Sequence, residues 1–230
     1  MTSNKNMTAN AVNTATAANT AATANTATNM DFASMSDAEL SKLRRIVIPC
    51  IGSFMHVFEP NAINGSEPKY SMSCLFPETD AATRAKVDMA IAAATELGKR
   101  KKWGGKIPAN MKSPLHLGSI DRPDDPAYAG MIYFNANSKD APQIVDRRKQ
   151  TIADPLAVYS GAYYNVSLSV YPFSTSGNKG VAVGLGNIQF VKDGDRLGGR
   201  STAASDFDVL DNDDTEGVFG SESEVPDWME

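Results

Sequence analysis

Apolar and polar positions divide the chain into a featureless start, an alternating body and a polar end. Residues 1–29 are dominated by Ala, Thr and Asn and contain no aromatic residue. Such a stretch buries too little apolar surface to offset its ordering entropy, so a disordered arm is expected over residues 1–35. A folded domain is expected over 36–200. It opens with a short helical lead-in, Ser36–Leu43, in which Ser36 is the N-cap and Glu39 occupies the capping-box position. Arg45–Phe58 is a long β-type run with apolar residues on both parities, as in a strand buried on both faces or curling around a barrel. Tyr70–Phe76 alternates, with Tyr70, Met72, Cys74 and Phe76 on one face and Ser71 and Ser73 on the other. The turn residues Asn64-Gly65-Ser66 between these runs predict a hairpin.

The period changes at Asp80. Val87, Ile91, Ala94 and Leu97 recur at helical spacing in an alanine-rich stretch, with Thr79 or Asp80 to cap the start and Gly98 to end it. A loop rich in Gly and Pro is expected from Lys99 to Ala129. Further strands are expected at Met131–Asn137, Gln143–Asp146, Val158–Ser160, Tyr163–Phe173 and Val181–Val191. The last two form a hairpin across Ser174–Gly180. Five or more strands, one mid-chain helix and long loops predict a mainly β fold. A small, partly open antiparallel barrel fits better than a parallel sheet alternating with helices.

Charge changes this picture. From Lys42 to Arg200 there are 21 Lys and Arg against 14 Asp and Glu, whereas residues 201–230 hold ten acids and no base. The formal net charge of −5 thus hides a basic body joined to an acidic, disordered tail over 201–230. That division suits a polyanion-binding body whose tail competes for the binding surface or recruits other proteins. Within the tail, Asp211, Asp213, Asp214 and Asp227 beside Trp228 are the candidate partner-binding residues.

Candidate chemistry lies in three places. Lys99, Arg100, Lys101, Lys102 and Lys106, followed by Lys112, bracket Trp103 in a glycine-hinged loop. Cations attract phosphates and release counterions, and an indole stacks on an unpaired base without reading its identity. The same pattern also describes a helix C-terminus complementing its dipole, with Trp103 anchored in the core. Arg147, Arg148 and Lys149 follow a strand, either as a backbone-contacting cluster or as a solvated turn. Tyr163 and Tyr171, with Tyr159 and Phe173, lie on an otherwise polar strand face. They form either a stacking platform or the cover of a second small core. Tyr128, Tyr133 and Phe134 admit the same two readings.

Catalysis finds little support. His56 and His116 are isolated, and Asp121, Asp124 and Asp125 sit among prolines as turn residues rather than magnesium ligands. Gly184 and Gly186 complete no phosphate loop. Cys50 and Cys74 read as buried reduced thiols, with a disulfide as the alternative. No cofactor, metal, enzyme activity or membrane span is expected.

Several short motifs together resemble the phage single-stranded-DNA-binding proteins first catalogued as a bacteriophage domain of unknown function. They are Tyr70–Pro77, the mid-chain helix, Trp103-Gly104-Gly105-Lys106, Pro114-Leu115, Tyr128–Phe134 with Asn135-Ala136, Pro142–Asp146, Val158–Gly161, Tyr163–Phe173 and Ile188–Gly199. The resemblance implies an OB-type barrel with a helix between strands, and sequence-tolerant binding of single-stranded DNA. It also implies action in replication or recombination in the host cytoplasm, with replication or recombination proteins as partners of the tail. A small virion component that binds protein rather than nucleic acid is the rival reading. Clustering of the cations in one groove beside aromatics favours DNA.

Overall fold

A computed structural model describes residues 30–62, 65–175 and 177–198. The compact body ends at Leu197. The tail residues Asp211, Asp213, Asp214, Asp227 and Trp228, and the arm up to residue 29, lie outside the described residues.

The body is built from α1 (Asp37–Leu43), β1 (Arg45–Asn61), β2 (Lys69–Pro77), α2 (Ala81–Lys101), β3 (His116–Leu117), α3 (Gly118–Asp121), β4 (Met131–Ser138), β5 (Ile144–Val145), β6 (Tyr163–Thr175) and β7 (Asn178–Lys192). β1 pairs antiparallel with both β2 and β6, β2 with β4, and β6 with β7. A short parallel seam, Ala136 beside Val183 and Asn137 beside Gly184, joins β4 to β7 and closes the circuit β1–β2–β4–β7–β6. This is the expected OB-type, five-stranded barrel with a helix between strands, but the parallel seam closes a barrel expected to be partly open and antiparallel. β3 and β5 extend it as short outer strands on β4 and β7.

Alternation explains the barrel. Along β6, Tyr164, Val166, Leu168 and Val170 point inward and are buried, and the intervening residues face out. Their partners in the interior include Ile48, Met72, Phe76, Ile132, Phe134, Val183 and Ile188. Cys50 and Cys74 are free and buried here. Hydrogen bonding with Cys50, and then burial, pushes the Cys74 thiol well above its ordinary value. α2 closes one side, with Ala90 and Ala94 on Trp103, Val170 and Val181.

Four further expectations change. The helix does not end at Gly98 but runs to Lys101, and Gly98 is buried within it. A Cβ there would come within 2.6 Å of the Trp103 ring and 2.7 Å of Pro172. Glycine is therefore required for close packing and not as a stop. Val158–Ser160 is not a strand. It follows a 3-10 turn, Pro155–Ala157, and the Tyr159 amide donates to the Tyr164 hydroxyl at 2.9 Å. The loop before Ala129 contains β3 and α3. Finally, Phe32 and Met35, expected in the arm, pack with Leu40 and Leu43 against Ala93 and Leu97 of α2. The capping box of α1 forms as expected: the Ser36 hydroxyl accepts the Glu39 amide and the Glu39 carboxylate accepts the Ser36 amide.

Candidate nucleic-acid interface

The outer face of β6 carries Tyr163, Asn165, Ser167, Ser169 and Tyr171 in alternate positions. The β1 partners across this face are Ile51 beside Tyr163, Pro49 beside Asn165, Val47 beside Ser167 and Arg45 beside Ser169. On the other side β7 sets Lys192 beside Tyr163, Gln189 beside Asn165, Gly184 beside Ser169 and Ala182 beside Tyr171. Because Gly184 and Gly186 have no side chains, a shallow open groove runs over Arg45, Val47, Ser167 and Ser169. Tyr163 and Tyr171 are 37% and 39% exposed. Tyr163 borders a largely apolar depression with Pro49, Ile51, Leu75 and Met131, and Tyr171 borders one with Arg44, Lys101 and Pro172. Eight residues of strand separate them by roughly 26 Å.

Cations gather at both ends of the groove. Beyond Tyr171, a depression is lined by Arg44, Lys101 and Lys102. At the other end, the Lys192 ammonium lies over one face of the Tyr163 ring, 4.2 Å from its centroid. Tyr159 is less available than the sequence suggests. Arg196 covers its face at 4.1 Å, and its hydroxyl donates to Asp193 at 2.8 Å. Burial, and then the bond to Asp193, pushes its phenol up.

The loop cations divide into tied and free. Lys99 and Arg100 pair with Glu96, and Arg100 and Lys101 pair with Asp37. Hydrogen bonds from Lys101 and then Arg100 hold the Asp37 carboxyl below its ordinary value. Arg100 also donates to the carbonyls of Phe32, Ala33 and Met35. Arg100 and Lys101 thus fasten α1 and its lead-in to α2, while Lys99 pairs only within α2. Lys102, Lys106 and Lys112 are exposed and, among the described residues, form no ion pair. Trp103 takes the anchoring role and not the stacking one: it is 6% exposed, and its Nε1–H donates to the Phe173 carbonyl at 3.0 Å. Phe173 itself is half-buried. Trp103 and the backbone bridge from Lys112 to Gly180 pin the loop onto the β6–β7 hairpin. Arg147, Arg148 and Lys149 form an exposed turn beside β7, where Asp146 accepts the Arg148 and Gln150 amides and its carbonyl accepts from Gln189.

A second aromatic and cationic cluster lies outside β2 and β4. The Arg122 guanidinium lies 4.7 Å from the ring centroids of both Phe54 and Tyr128, and 5.7 Å from that of Tyr133. His116 stacks on Tyr133 at 5.0 Å and pairs with Asp121 at 2.8 Å. Phe54 and Arg122 are absent from the sequence candidates for a reason. Phe54 lies in a run apolar on both parities, and Arg122 sits among aspartates and prolines that read as a turn. Asp125 does cap that turn, accepting the Ala127 amide. Among the described residues no group of His, Cys, Asp or Glu side chains is placed to hold a metal, and no helix is long and apolar enough to cross a membrane.

A family model described as "Enterobacter phage Enc34, ssDNA-binding protein" matches residues 46–219. A protein of Acyrthosiphon pisum secondary endosymbiont phage 1, called putative protein p50, is 29% identical over 179 residues, which span 74% of this chain and 95% of that one. Among solved structures, the single-stranded DNA-binding protein from bacteriophage Enc34 in complex with ssDNA superposes with a TM-score of 0.60 at 22% identity, covering 68% of this chain and 91% of that one. A further structure of the single-stranded DNA-binding protein from bacteriophage Enc34 gives 0.57 at 21% identity over 72% of this chain and 90% of that one. These superpositions carry the barrel fold, and the match of the family model over most of the chain carries the kinship: this chain belongs to the Enc34 phage ssDNA-binding protein family.

Proposed function

We propose that this chain binds single-stranded DNA with little sequence preference, catalyses no reaction, and serves phage DNA replication or recombination in the host cytoplasm. The observation that carries this reading, beside family membership, is the groove over β6, which has an exposed tyrosine toward each end and cations at both. Stacking on Tyr163 and Tyr171 tolerates any base, because every base has a π-face. Lys102, Lys106, Lys112, Lys192 and the Arg147–Lys149 turn would hold phosphates along the same path. The groove length suits the roughly 4–16 nucleotides that one such barrel covers. The body is taken to begin with the packed lead-in at Phe32 and to end at Leu197, and the acidic residues 206–230 are taken as a competitor for its basic surface or a recruiting segment. In the recruiting role, Asp211, Asp213, Asp214, Asp227 and Trp228 would meet replication or recombination proteins.

The test is fluorescence anisotropy of labelled oligo(dT) titrated with the full chain at about 50 and about 200 mM salt, where counterion release predicts a loss of affinity well over tenfold. Absent or salt-insensitive binding overturns the reading and leaves the virion-component alternative.

A further inference from the structure

Phe54 is, with Lys149, one of the two described non-glycine residues with a positive φ. Its φ is 48°, a left-handed conformation that a bulky side chain adopts only where the surroundings force it. It sits where the β1–β2 register shifts between Ser53 and His56, and this irregularity turns its ring out of the barrel wall to 48% exposure. Beneath it the framework is rigid. Arg122 lies against the Phe54 and Tyr128 rings. The Tyr128 hydroxyl donates to Ser53 at 3.0 Å, and Gly118 is packed so closely on Tyr128 that a Cβ would overlap its carbonyl. Ser73 and Asn135, hydrogen-bonded at 2.6 Å, continue the surface as a polar floor. Among the described residues Arg122 makes no ion pair and its side chain no hydrogen bond. A buttressed aromatic ring beside a guanidinium with unspent donors is a receptor for a flat anionic unit.

We propose that Phe54 and Arg122 form a clamp for a single unpaired nucleotide. Its base stacks on the outer face of Phe54 and its phosphate takes the free N–H groups of Arg122. Resting on the reading of the chain as a single-strand binder, this site lies outside the β6 groove, across Ile51 and Leu75. The strand would therefore turn around the barrel and not follow β6 alone. The strain at Phe54 is what keeps the ring presented when no DNA is bound.

The strain also supplies the test. Glycine suits a left-handed backbone, so Phe54→Gly should keep or raise the Tm of the full chain while weakening oligo(dT) binding about tenfold. Arg122→Met should lower the slope of log K against log salt by about one. Phe54→Trp should add an emission component, absent from the wild type, that oligo(dT) quenches. If Phe54→Gly loses stability, this quenching decides the matter alone. Wild-type binding with unchanged affinity in Phe54→Gly, or with no quenching in Phe54→Trp, overturns the clamp. Wild-type chain that fails to bind oligo(dT) overturns the functional reading instead.

Discussion

Two aromatic residues that look alike in the sequence do opposite work. Tyr171 stands exposed at the groove end, whereas Trp103 spends its one polar hydrogen on the Phe173 carbonyl and packs its ring against Gly98 and the cluster of Ala90, Val170 and Val181. Tyr171→Ala should therefore weaken oligo(dT) binding by roughly tenfold with Tm nearly unchanged. Trp103→Phe should cost about 2 kcal/mol of stability in chemical denaturation and leave the affinity of the folded protein as it was. Tyr164 illustrates a third use of an aromatic ring. Its hydroxyl is buried against the Tyr159 backbone, donating to the carbonyl and accepting from the amide. Burial pushes its phenol from the ordinary 10 up to about 12. The unfolded phenol thus loses its proton first, and the stability from keeping Tyr164 neutral is whole below pH 10 and lost as pH rises to 12. The amount at stake is about 3 kcal/mol. Tyr164→Phe should lower Tm at pH 7 and flatten its fall between pH 10 and 12 relative to wild type.

At the scale of elements, two cations of the basic run after Gly98, Arg100 and Lys101, act as a fastening. Arg100 reaches three carbonyls of the lead-in as well as Asp37, and Leu40 completes the contact through the apolar side of α1. Arg100→Ala should speed amide hydrogen exchange throughout α1 while β6 and β7 exchange as in wild type. Local signals were legible wherever the cause is local. The alternation of Tyr70–Phe76 and Tyr163–Phe173 gives their faces, and Ser36 with Glu39 gives the start of α1. Gly98 misleads because its requirement comes from Trp103 and Pro172, two groups on other parts of the chain. For the same reason the sequence separates Phe54 from Arg122 by 68 positions, and only closure of the barrel brings them together. Residues in β3 are too few for any periodicity, since their strand exists through pairing with β4.

For the whole molecule, charge asymmetry is the feature that crosses every element. Removing residues 206–230 takes the formal net charge from −5 to +5, because that segment carries ten acids and no base. The truncated chain should bind oligo(dT) more tightly, with the largest gain at low salt, and gain affinity for duplex DNA. Equal affinities by anisotropy would leave the tail a recruiting role alone. The barrel seam adds a consequence for how the chain folds. The β6–β7 hairpin pairs strands adjacent in sequence as far as Thr175 with Asn178, whereas the β4–β7 seam joins Ala136 to Val183 through two residues on each side. Loop-closure entropy makes such a distant, short contact the one that rewards the chain last. Ala136→Gly should accordingly speed unfolding in stopped-flow experiments and leave the refolding rate nearly unchanged. On this ordering the groove is assembled on an open sheet, and the barrel shuts only after the surface proposed to meet DNA already exists.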